Sequence, residues 1–453
     1  MTDGKQGTNR ARVEEFIQRI EAHNERLNAM ILVTPDIARA QADEADRAEA
    51  AGKTTGALHG MVVALKDNID TQGLRTTSGS KLFEDYIPDR DAEVWRRMRA
   101  EGAILIGKAG LHECVFGPTS QNAWYGRIHN PWDDTRVPGG SSGGSGSAVA
   151  AGFCDLALGT DTGGSVRIPA ALCGLTGLRP TVGAVSNDAT RPISPHFDTT
   201  GPMAIDARTT AQGFAVMQGY DAGDETSRRA PAAVDLSEIE AGVRGLKIGI
   251  PTGYLFEHAD DDVIAAAKGA AEVFAGLGAE LVEVEIDGAG DAALAAGRIS
   301  VSDAANYYQY DVARHPNKFS QQVMARMLTG YMVTGREYGS HFRTLYRWRR
   351  RIERVFEQVD MILSPTLGCV APPIAESDDL LDSAKLLTGL TMAWTLARVP
   401  VLAFPSGFSG GGSSNIRLPL SVQLAGPDWS EALLFRAAVA FQGATDHHGR
   451  AID

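Results

Sequence analysis

Apolar residues recur at three- and four-residue spacing between residues 10 and 32, where Val13, Phe16, Ile17, Ile20 and Leu27 share one face. This predicts an amphipathic helix. A second helix, rich in Ala, Glu and Arg, is predicted over 36–51. Short, wholly or largely apolar runs predict buried strands at 61–65, 156–158, 247–250, 361–363, 401–404 and 420–424. Residues 91–108 read as helix, glycine turn and apolar strand. The same grammar returns at 262–285, with a helix over 263–277, Gly278 and the strand LVEV. Helices alternating with short apolar strands predict an α/β fold, a mixed and mostly parallel sheet covered by helices. The region 287–358 is mostly helical and rich in Tyr, Arg and Met. It reads as a helical insertion that covers the sheet and contributes to a substrate pocket. The SGGGSS run at 409–414 reads as a surface loop joining two strands. The whole chain, 1–453, is expected to form one domain.

Charge and composition narrow the function. The formal net charge is −13, which argues against direct contact with nucleic acid, because neutralising phosphates needs a basic face. The basic run RWRRRIERVF at 347–356 has helical spacing and reads as a solvated helix face. The four cysteines, Cys114, Cys154, Cys173 and Cys369, are scattered. Three lie among apolar or small residues, as buried thiols do. The polar opening MTDGKQGTNR is no signal peptide, and no apolar run reaches the roughly 18 residues of a membrane span. A reduced cytoplasm is therefore expected, with no membrane contact. The histidines show neither HxH nor HExxH spacing, so neither a metal nor a cofactor is expected.

The stretch 136–170, RVPGGSSGGSGSAVAAGFCDLALGTDTGGSVRIPA, carries the candidate chemistry. It reads as a dense Gly/Ser turn, a small-residue helix, a short strand and a second Gly-Gly-Ser turn. A flexible linker would not run straight into the apolar AVAAGFCDLALG. A phosphate-binding loop would need Gly-Lys-[Ser/Thr] where Gly146-Ser147-Ala148 stand. A serine-nucleophile site fits better, and its serine needs a base. No histidine sits in a suggestive motif. Lys66, at the end of the apolar run 61–65, is the leading candidate, since a buried lysine has a lowered pKa. The competing reading makes Lys66 a surface lysine or the partner of Asp67. Thr162, Gly163, Gly164 and Ser165 offer consecutive backbone N–H groups to a developing oxyanion.

These residues also carry a resemblance. GGSSGGSGSAVAAG followed by LALGTDTGGSVRIPAALCGLTGLRPT resembles the amidase signature family, and LHGMVVALKDNIDTQGLRTTSGS resembles that family's lysine segment. The likeness is strongest over 56–205 and returns at VPVLAFPSGF and LPLSVQLAG. It implies a Ser–cis-Ser–Lys triad, with Ser165 as acyl-enzyme nucleophile, Ser141 as bridging serine after a cis peptide, and Lys66 as base. Ser142 would support the bridge, and Asp161 and Arg167 would brace the nucleophile turn. The implied reaction is hydrolysis of a carboxamide C–N bond, with a rate that rises toward alkaline pH as Lys66 becomes neutral. Two readings follow. One is a self-sufficient amidase acting on a small-molecule amide, for which a homodimer is the default assembly. The other is the glutaminase subunit of a tRNA-dependent amidotransferase. The looser C-terminal segment AWTLARVPVLAFP weighs toward the first.

Overall fold

The computed structural model describes residues 8–377, 379–410 and 417–449. The polar opening over 1–7 and residues 411–414 of the Gly/Ser run therefore lie outside the described residues. Among the described residues, eleven strands form one mixed sheet. Their spatial order is Met30–Val33, Ile104–Ala109, Val62–Lys66, Leu156–Asp161, Thr199–Ala204, Thr176–Arg179, Val401–Phe408, Pro419–Ala425, Met361–Pro365, Lys247–Thr252 and Glu280–Glu285. Parallel pairings lie toward the two flanks. At one, Val62–Lys66 runs parallel to both Ile104–Ala109 and Leu156–Asp161. At the other, Lys247–Thr252 runs parallel to Met361–Pro365 and Glu280–Glu285. The centre, from Leu156–Asp161 to Met361–Pro365, is antiparallel throughout.

Each predicted strand forms, most of them a residue or more longer than its apolar run. The helix predicted over 10–32 ends earlier. Asn9–Leu27 is helical, Asn28 takes a left-handed conformation as its cap, and Met30–Val33 leaves as an edge strand. A helical side-chain period cannot distinguish the last apolar residues of a helix from a short strand that follows a left-handed turn. The apolar pattern also does not reveal the strands Thr176–Arg179 and Thr199–Ala204. Their sequences, TGLR and TTGPMA, are buried yet polar in part.

Helices cover the sheet. Asn9–Leu27, Pro35–Ala50 and Gly143–Ala150 pack one group of core residues around Val62, Ile104 and Ala157. Glu93–Ala100, Ala207–Met217, Asp261–Gly276 and Glu431–Ala444 enclose another around Leu65, Leu158 and Phe404. Residues 287–358 hold the helices Ala289–Tyr307, Gln309–Arg314, Gln321–Tyr331 and Gly335–Phe356. The last of these is amphipathic. Leu345, Trp348, Ile352 and Val355 are buried, a Thr334–Glu337 capping box starts it, and Arg347, Arg350, Arg351 and Arg354 are exposed, whereas Arg349 is half-buried and pairs with Asp428. Among the described residues no helix is long and apolar enough to cross a membrane.

Candidate active site

The site forms where two parallel strands end together. Val62–Lys66 pairs in register with Leu156–Asp161, Leu65 opposite Leu158. Lys66 and Thr160 therefore emerge side by side. The Gly/Ser turn crosses these ends and feeds the helix Gly143–Ala150. Its small residues are a packing requirement. A Cβ on Gly144 would lie 2.3 Å from the Gly110 carbonyl oxygen, and one on Gly159 would lie 2.8 Å from Ser142 Oγ. The Gly140–Ser141 peptide is cis. The Ser141 carbonyl accepts the His112 N–H at 3.0 Å and the Ser120 hydroxyl at 3.3 Å.

Lys66 is fully buried. Its Nζ hydrogen-bonds Ser141 Oγ at 2.8 Å and Thr160 Oγ1 at 2.8 Å. Burial pushes its pKa well below the ordinary lysine value, and the more distant charges of Asp161 and Asp198 oppose this only in part. The alternative pairing with Asp67 does not form. Asp67 faces Lys108 instead, at 3.2 Å, and accepts the N–H and hydroxyl of Thr77. Lys66 is thus a buried amine between two hydroxyls, and no carboxylate touches it among the described residues.

Ser142 ties the Gly/Ser turn to the strand end and to the second turn. Its hydroxyl donates to the Thr160 carbonyl at 3.2 Å and accepts the Thr160 N–H at 3.2 Å, and its own N–H donates to the Ser165 carbonyl at 3.3 Å. Ser165 is half-buried at the start of the turn into the helix Arg167–Cys173.

Asp161 organises that second turn. Its carboxylate accepts the Gly164 N–H at 2.8 Å and the Val166 N–H at 3.3 Å. It is held by Arg167 (Nε 3.0 Å) and by Arg179 (Nη1 3.0 Å), all three side chains being fully buried. Burial alone would raise the Asp161 pKa, but the two guanidinium charges outweigh it and hold the carboxyl far below its ordinary value. The Gly164 bond corrects one expectation, the grouping of Gly164 with the oxyanion donors. Its N–H is spent on Asp161, while those of Thr162, Gly163 and Ser165 have no acceptor among the described residues. Sequence spacing cannot show this, because consecutive N–H groups in a turn point in different directions.

Sequence reasoning misses several residues of the site. Thr160 is one; only its place beside Asp161 at a strand end marks it. Arg179 is the second clamp on Asp161, visible only as a charge in a buried strand. Asp198 accepts the Ile193 N–H at 2.7 Å, the Ser194 N–H at 2.9 Å and the Thr162 hydroxyl, and burial raises its pKa to about 6. On the helix Leu380–Ala397, the Thr391 hydroxyl donates to the Gly163 carbonyl at 2.6 Å, and Met392 Cε occupies the space where a Gly163 Cβ would sit. Among the aromatic side chains, Trp394 and Tyr308 are core residues, and Trp124 donates its indole N–H to Glu113.

Two cavities flank the turn. One, of about 270 Å³, is lined by Thr160, Thr162, Arg191 and Asp198. The other, of about 500 Å³, lies among the helices Ala289–Tyr307, Gln321–Tyr331 and Leu380–Ala397 and ends at Met392. Among the described residues no group of His, Cys, Asp and Glu is placed to hold a metal ion.

The family model Amidase matches residues 11–435. This chain belongs to the amidase signature family. Over 96% of its length it is 37% identical to the A subunit of the glutamyl-tRNA(Gln) amidotransferase from Thioalkalivibrio sulfidiphilus, covering 94% of that protein. Its fold superposes on a chain from a vestigial protein complex bearing on the origins of an s-triazine catabolic enzyme, with TM-score 0.90, 31% identity, and coverage of 98% of this chain and 97% of that one. It also superposes on the A subunit of the Thermotoga maritima glutamyl-tRNA(Gln) amidotransferase, with TM-score 0.83, 29% identity, and coverage of 98% and 94%. Membership makes it an amide-hydrolysing enzyme.

Proposed function

We propose that this chain is the amide-hydrolysing component of an assembly, and that it releases ammonia or an amine from a small carboxamide through an acyl-enzyme on Ser165. The observation that carries the chemistry is the position of Lys66 Nζ, buried and 2.8 Å from Ser141 Oγ. A neutral amine there donates one N–H to Thr160 Oγ1 and turns its lone pair toward the Ser141 hydroxyl. Lys66 takes the Ser141 proton as Ser141 takes that of Ser165, and Ser165 Oγ bonds to the amide carbon. Backbone N–H groups of Thr162, Gly163 and Ser165 hold the oxyanion. The relay then gives its proton to the leaving nitrogen, the C–N bond breaks, and water cleaves the ester to release the acid. Ser142, Asp161 and Arg167 position the turns.

This reading is favoured over the self-sufficient amidase because the 35–38% identical relatives, matched over nearly their whole length, are A subunits of an amidotransferase. A reduced cytoplasm suits its four unpaired thiols. The test is ammonia release from the purified chain, alone and co-purified with the product of a neighbouring gene, with Ser165→Ala as control. Release that needs the partner and vanishes in the variant supports the proposal. Full turnover by the chain alone, unchanged by any partner, returns the reading to a self-sufficient amidase.

A further inference from the structure

The larger cavity carries charge of one sign only among its described lining residues. Small residues open it. Gly297 has nothing within 4 Å of a Cβ, and Gly290 and Ala293 line the same wall. The helices that frame it are locked close together, because a Cβ on Gly330 would lie 2.1 Å from the Val301 carbonyl oxygen. Its apolar surface comes from Leu294, Val301, Leu381 and Met392. Its charged lining is wholly cationic: Arg298, Arg326 and Lys385, with no Asp or Glu among the described lining residues.

Arg326 is the cation within. It is half-buried, donates to the Phe116 carbonyl at 3.1 Å, and lies with its guanidinium 4.3 Å from the Phe116 ring centroid. Neither contact neutralises it, and no carboxylate pairs with Arg326, Arg298 or Lys385 among the described residues. Glu337 is near enough to Arg298 to feel its charge but does not line the cavity. Burial lowers the Arg326 pKa only to about 10, so it is a cation at neutral pH. An unneutralised charge partly withdrawn from water is costly, and a bound anion offsets that cost. The cavity also borders the turn that carries Ser165. Met392 closes it against Gly163, and the buried His112 feels the charges of both Arg326 and Lys66.

We propose that this cavity holds the far end of the substrate's acyl chain, and that this end carries a carboxylate and no amino group. The inference rests on the acyl-enzyme reading of Ser165. It adds the substrate class: a monoamide of a dicarboxylic acid. An ammonium group would meet three cations here. The acidic side chains Asp188, Asp198, Asp224 and Glu225 line the other cavity, with Arg191 as its one cation among the described lining residues.

The experiment is calorimetric titration of the full chain carrying Ser165→Ala, which binds without turnover. The probes are glutaramate, glutamine, 5-aminopentanamide and pentanamide. Glutaramate is expected to bind about 10–100-fold more tightly than neutral pentanamide, the range of a charge-assisted hydrogen bond, with glutamine weaker than glutaramate and 5-aminopentanamide weakest. Adding Arg326→Met should bring the glutaramate-to-pentanamide ratio close to one. Lys385→Met, at the exposed rim, should lower the same ratio and serves if the first variant does not fold. Equal or tighter binding of pentanamide, glutamine above glutaramate, a ratio unmoved by both variants, or no binding by any probe would overturn the proposal. Labelling of the wild-type chain with a fluorophosphonate, located by mass spectrometry, separately tests Ser165. Absence of an adduct there sinks the acyl-enzyme reading and leaves the binding order as an independent result.

Discussion

Asp161 Oδ1 accepts the N–H of Gly164 at 2.8 Å, and this bond sets Gly164 apart from Thr162, Gly163 and Ser165 in the same turn, whose N–H groups have no acceptor among the described residues. The same carboxylate is clamped by two buried arginines. Asp161→Asn keeps the shape but leaves Arg167 and Arg179 without their counter-charge. Breaking one side of a buried ion pair costs about 3–5 kcal/mol. Urea unfolding should show a loss of that order, and the residual folded enzyme should be slower because the turn is loosened. A variant as stable as the parent would mean that the arginines find other partners.

Lys66 makes opposite predictions for activity and stability. Its folded pKa is depressed, so the unfolded chain binds the extra proton more readily. The stability it contributes is therefore complete above the unfolded value, near 10.5, and is lost as pH falls toward the folded pKa. Lys66→Met removes that penalty. The variant should melt at a higher temperature than the parent at pH 7, with the gap narrowing as pH approaches 10.5. Its turnover should fall by about 10⁴-fold or more. In the parent, turnover should rise with pH as Lys66 deprotonates. A rate flat from acid to alkali would remove Lys66 from the role of base.

Thr160 orients that amine. Thr160→Val deletes the hydroxyl 2.8 Å from Lys66 Nζ while keeping the branched shape. Turnover should drop about 10-fold, the scale of one hydrogen bond, with KM nearly unchanged and the alkaline limb of the pH profile displaced. A change confined to KM would place Thr160 in substrate binding instead.

Gly163 and Gly164 should differ in their tolerance of a side chain. A Cβ on Gly163 meets Met392 Cε, the end of a flexible side chain, at 2.3 Å. Gly163→Ala should fold well and lose activity by pushing Met392 into the larger cavity, and Met392→Ala in the same chain should restore part of it. Gly164 has φ +130° and sits 2.5 Å from Thr391 Oγ1 by the same construction. Its alanine variant should lose about 1–3 kcal/mol of stability, with no rescue from Met392→Ala. Comparing melting temperatures and turnover across the four chains separates the two glycines.

Local grammar is written in the chain itself. Apolar runs between amphipathic helices are enough for the α/β class, because burying a strand on both faces demands a continuous apolar stretch. The serines, the lysine and the glycine turns are legible because small residues in such density, running straight into core, have few structural explanations. Packing settles what no spacing encodes. It sets the antiparallel centre of the sheet, which depends on how distant strands meet. It pairs Lys108 rather than Lys66 with Asp67, since two neighbouring strand ends compete for one carboxylate. It brings Arg179, Asp198 and Thr391 to the turn that carries Ser165 from separate elements. It also gathers Arg298, Arg326 and Lys385 from three helices around one cavity. Charge along a chain is local information, whereas the field inside a cavity is a sum over residues that only packing brings together.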